Sequence, residues 1–81
     1  AEGDPAAPAA PVEDVERSRG ELVRRFGGIG GCMARVSDYA RLLPGSSHAA
    51  VEEALYQLWD EGVVEMHCLS DGAFVFHFPP R

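Results

Sequence analysis

His48, His67, His77, Cys32 and Cys68 are the residues of this 81-residue chain whose types suit metal binding or nucleophilic chemistry. The two cysteines stand 36 positions apart, which makes no metal-type spacing. His67 and Cys68 are adjacent, so on a strand they point to opposite faces and do not share one ion. His67 and His77 are expected to face each other across a hairpin and to supply two ligands and no more. These histidines are read as solvent-face residues, and no metal and no cofactor is expected. Both thiols are expected to be semi-buried and reduced, in an intracellular setting. No serine or cysteine has a histidine and a carboxylate in a recognisable catalytic arrangement, and so small a fold has little room for a cleft. The expectation is a protein that is not an enzyme and takes no small-molecule substrate.

Charge narrows the partners. Seven basic residues, all arginine, face thirteen acids, for a net charge of −6. A chain of this sign is repelled at long range by nucleic acid and by anionic membrane surfaces. No apolar run approaches the roughly 20 residues that cross a bilayer, so no membrane insertion by this segment is expected. The expected setting is cytoplasmic, with a tether through a missing N-terminal region left open.

The elements that must position these groups are ordered around residues 46–64, SSHAAVEEALYQLWDEGVV. A Pro44-Gly45 break precedes two serines able to cap a helix, and Gly62 supplies the stop. Val51, Ala54, Leu55 and Leu58 recur at spacings that place them on one helix face. Upstream, Val12, Val15, Leu22, Val23 and Phe26 define a first helix over residues 12–26. Its acids stand in the first turn and Arg24 and Arg25 near the end, as the helix dipole favours. Gly20 within it costs about 1 kcal/mol relative to alanine.

The segment IGGCMARV has no lysine followed by Ser/Thr and no strand before it, so it is not read as a phosphate-binding loop. It is read as a loop leading into a short strand over residues 33–36. Ser37 is expected to cap a second helix, with Tyr39, Leu42 and Leu43 available for burial. Beyond Gly62, Val64, Met66 and Cys68 alternate with Val63, Glu65, His67 and Leu69, and Phe74, Phe76 and Phe78 alternate with Val75 and His77. Ser70-Asp71-Gly72 is the expected hairpin turn, and three phenylalanines on one face should close the core. The opening AEGDPAAPAAP alternates proline with small residues and lacks the basic start and apolar middle of a signal peptide. Residues 1–11 are read as a flexible linker and residues 12–81 as the domain, the terminal piece of a longer protein.

The run VSDYARLLPGSSHAAVEEALYQLWDEGVVEMHCLSDGAFVFHF, with its Val51, Leu55, Leu58, Gly62 spacing and the Val63-Val64 pair, resembles the winged helix-turn-helix superfamily. The ending FVFHFPPR is also similar to the last strand of small winged-helix domains at the C-terminus of bacterial membrane proteins. The resemblance implies an α+β fold of three helices with a short first strand and a C-terminal two-stranded wing. It implies no single function, because such domains read DNA, contact subunits and dock partners.

In DNA-reading members the third helix enters the major groove. Here its outer face carries Ser47, His48, Glu52, Glu53, Tyr56, Gln57 and Asp60, and Glu52, Glu53, Asp60 and Glu61 give that helix four acids with no lysine or arginine. A reading helix of that sign needs basic residues elsewhere. The preferred expectation is therefore a regulatory or membrane-associated protein's interaction domain, binding a protein partner through Glu52, Glu53, Tyr56, Gln57, Trp59 and Asp60. The alternative is a DNA-binding regulatory domain using a basic strip on the first two helices, with Arg17, Arg24, Arg25, Arg35 and Arg41 joined by Ser47 and His48. Homodimerisation through the first helix is compatible with either.

Overall fold

A computed structural model describes residues 10–27 and 32–79 of the chain. Three helices and a three-stranded antiparallel sheet follow in the order α1 (Val12–Phe26), β1 (Cys32–Ala34), α2 (Val36–Leu42), α3 (His48–Asp60), β2 (Glu65–Cys68) and β3 (Phe74–Phe78). Residues 1–9 of the expected linker at residues 1–11, and the loop at residues 28–31, lie outside the described residues. Ala10 is half-buried against the core. Among the described residues no helix is long and apolar enough to cross a membrane.

α1 has the expected bounds. The Pro11 carbonyl accepts the Val15 N–H at 3.0 Å, and Glu13 and Asp14 occupy the first turn, Arg24 and Arg25 the last. Val15, Ser18 and Leu22 form its buried stripe, whereas Val12, read as part of that stripe, is exposed at the helix start.

The next boundary differs from expectation. β1 ends at Ala34, and Val36, expected in the strand, is the first residue of α2. The Asp38 carboxylate accepts the Arg35 backbone N–H at 3.2 Å, which caps the helix from its third position. Ser37, expected as the cap, lies inside the helix. Tyr39 and Leu43 are buried as expected, but Leu42 points to solvent.

Ser47 rather than Ser46 caps α3, its Oγ accepting the Ala50 N–H at 3.1 Å. Ala50, Val51, Ala54, Leu55 and Leu58 form the buried side. At the other end the N–H groups of Gly62 and Val63 bond to the carbonyls of Trp59 and Leu58, a Schellman arrangement. Gly62, at φ +81, occupies the left-handed region that this turn requires.

β3 is the middle strand, in the order β1-β3-β2. Its register sets Phe76 against Ala34 on one side and Met66 on the other. Phe76 and Phe78 are wholly buried against the helices, while Phe74 on the same face is 45% exposed, so two of the three expected phenylalanines close the core. Phe26, Tyr39 and Phe78 form an aromatic group with ring centroids 5.2–5.9 Å apart, in edge or tilted contact. Asp71 shapes the β2–β3 turn by accepting the Ala73 N–H at 3.0 Å. Gly72 there has φ +87.

Candidate functional site

α3 turns one side to the core and leaves Glu52, Glu53, Trp59 and Asp60 exposed. Tyr56 is half-buried: its ring meets Phe76 edge-on at 5.5 Å and Trp59 at 6.5 Å. Trp59 is 45% exposed and thus joins the core edge to the surface through Tyr56. Glu53, Tyr56, Gln57, Asp60 and Glu61 line a shallow depression on this helix. Phe74 adds a half-exposed ring on the helix-facing side of the sheet, one that pattern reasoning assigned to the core. Strand alternation fixes its face but does not show how far the helical layer extends.

Of the six residues expected on the protein-binding face, Gln57 is the one held internally by a charge. The Arg19 guanidinium donates to Gln57 Oε1 at 3.1 Å and to Glu61 at 2.6 Å, tying α1 to the end of α3. Gln57 in turn donates to Glu53 at 3.4 Å. Glu52, Glu53 and Asp60 have no cationic partner among the described residues.

The arginines behave in the opposite way. Arg17 pairs with Asp14, Arg19 with Glu61, Arg24 and Arg25 with Glu21, Arg35 with Asp71, and Arg41 with Asp38. Arg17 and Arg25 border one recess beside Glu21, whereas Arg19 reaches α3 and Arg35 the hairpin turn. Arg17 and Arg25 lean toward the segment between α2 and α3, donating to the carbonyls of Gly45 and Leu42. Donation from Arg24 and Arg25 lowers the Glu21 carboxyl from its ordinary range. The Ala73 N–H, followed by the Arg35 charge, does the same for Asp71. Ser47 is engaged as the α3 cap, and His48 is exposed in the first turn of that helix.

The far side of the sheet carries a cluster with one more donor than expected. Glu65 stands directly opposite His77, and His67, two positions along β2, shares their face. His77 Nδ1 lies 3.2 Å and His67 Nε2 3.6 Å from Glu65 Oε1. The hairpin thus offers three ligand groups where two were expected; the missed signal was Glu65, which has the same strand parity as His67. Cys68, on the opposite face, is exposed rather than semi-buried.

Compared with protein-family models, with curated proteins and with solved structures, the chain has no match.

Proposed function

We propose that the chain is a winged-helix interaction domain that docks a protein partner through the exposed side of α3. The order α1-β1-α2-α3-β2-β3, with β2 and β3 joined as a hairpin after α3, supports the winged-helix reading. The observation that carries the docking reading is the contrast of charges. Glu52, Glu53 and Asp60 stand unneutralised around the half-exposed pair Tyr56 and Trp59, while every described arginine already holds a carboxylate. Large aromatics ringed by polar groups are the usual anchors of protein interfaces. The complementary partner presents basic residues around an apolar recess. DNA binding through the arginines would require several guanidinium groups to leave their carboxylates beside a helix that repels phosphate.

Affinity capture from a cell extract with the 81-residue chain as bait, compared with its Trp59→Ala, Asp60→Arg and Arg24→Ala/Arg25→Ala variants, tests the reading. A protein retained by the wild type and the arginine variant, but lost with Trp59→Ala and Asp60→Arg, is the expected result. Titration into a labelled mixed-sequence duplex at about 50 mM salt supplies the opposing outcome, because phosphate contacts count most in that regime. Binding that fades with salt and is lost in the arginine variant overturns the proposal.

A further inference from the structure

We propose that Glu65, His67 and His77 form a binding site for a divalent transition-metal ion of the zinc class on the outer face of the β2–β3 hairpin. The register builds the site. Opposed residues of an antiparallel pair share a face, as do residues two apart on one strand, so Glu65 brings both imidazoles into reach of a common centre. One ligand atom from each of the three residues lies within 4.8 Å of the other two. In a tetrahedral site with zinc-to-donor bonds of about 2.0–2.1 Å, neighbouring donors stand roughly 3.3 Å apart. The His77-to-Glu65 separation of 3.2 Å already meets that spacing, and the His67-to-Glu65 separation of 3.6 Å is close to it. The third pair, His67 and His77, has ring centroids 6.3 Å apart and must draw closer for a tetrahedral site.

Chemistry selects the ion. Two imidazoles and one carboxylate suit zinc and its first-row neighbours, whereas calcium and magnesium take oxygen ligands. Three protein ligands leave a further position for water. The cluster lies on the exposed face of the hairpin, with His77 its half-buried member. Val75, opposite His67 on the same face, is buried, and Met33 stands across from His77 on β1. An apolar neighbour of this kind limits solvent access to a bound ion. Bound metal would cross-link β2 to β3 on the side of the sheet away from the helices. This inference is independent of the proposed docking through α3.

The test is titration of the intact chain with ZnCl₂ at neutral pH, followed by calorimetry and by the imidazole resonances of the three histidines. One equivalent is expected to bind. The His67 and His77 resonances should move while those of His48 stay in place, and the melting temperature should rise with zinc concentration as selective binding to the folded state requires. Glu65→Gln, His67→Ala and His77→Ala should each weaken binding by at least about tenfold, since each removes one of three ligands. Cys68→Ser and His48→Ala should leave it unchanged. The near-isosteric Glu65→Gln separates ligand loss from damage to the hairpin, provided its circular dichroism matches that of the wild type. Absence of stoichiometric binding, equal binding by the Glu65 and His67 variants and the wild type, or loss of binding with Cys68→Ser overturns the proposal. In the first case the cluster is a His77–Glu65 hydrogen bond with His67 beside it and nothing more.

Discussion

The Tyr39 hydroxyl donates to the main-chain carbonyl of Phe76 at 2.8 Å, with both residues wholly buried. One bond thereby joins the short helix α2 to the middle strand of the sheet. Tyr39→Phe keeps the ring contacts with Phe26 and Phe78 but removes the donor, and is expected to cost about 1–2 kcal/mol. Tyr39→Ala removes the ring as well and should cost about 3–5 kcal/mol. Urea unfolding of the two variants separates the contributions.

Two glycines on α1 and at its end should respond oppositely to alanine. A Cβ at Gly20 meets nothing within 4 Å, so Gly20→Ala should stabilise the domain by about 0.5–1 kcal/mol through helix propensity. At Gly27 the added Cβ would stand 2.6 Å from the Val23 carbonyl oxygen, which itself accepts the Gly27 N–H at 2.9 Å. Gly27→Ala must distort that closing turn and should lower the melting temperature. Parallel thermal melts of both variants check the contrast.

Ser18 Oγ is buried and finds no hydrogen-bond partner among the described residues. An unpaired buried hydroxyl costs about 1–3 kcal/mol, so Ser18→Ala should stabilise the domain, by about 1 kcal/mol. The larger Ser18→Val should destabilise it by overfilling the buried stripe of α1. Denaturant midpoints of the two variants give both signs.

Glu21 supplies the acid-sensitive element of α1. Its carboxyl is lowered below the ordinary 4.5 by donation from Arg24 and Arg25. A carboxylate lowered on folding contributes stability that is complete above its unfolded value and is lost as pH falls through the folded value. Glu21→Gln should therefore be less stable than the wild type at neutral pH, and the difference should shrink as pH falls below 4.5. Melting temperatures across that range, at low salt because the group is only half-buried, measure it.

Much of the fold was legible where sequence pattern and local geometry coincide. The bounds of α1 follow from one apolar stripe flanked by the right charges, and the buried side of α3 from Val51, Ala54, Leu55 and Leu58. Gly62 is legible as a stop because few other residues accept its backbone conformation. The β1–α2 boundary was not. Val36 favours a strand by type, yet Asp38 reaches back to the Arg35 N–H and starts the helix earlier. Phe74 shows the same limit on the sheet, where period-two alternation assigns a face without telling how far the covering layer extends. On the candidate surface, the exposure of Glu52, Glu53 and Asp60 was readable from helical spacing, whereas Trp59, next to the buried Leu58, could equally be placed at the core edge. The partners of Arg19 and Arg35 were not readable, because the two find acids 42 and 36 positions away.

β3 is the last of the described strands and the middle one of the sheet. During synthesis, β1 and β2 therefore emerge before the strand that both of them pair with, and neither can form its sheet hydrogen bonds in the meantime. Phe76 and Phe78, which close the core, arrive with that same segment. Sheet pairing and closure of the core over the helices therefore depend on one and the same segment, residues 74–78.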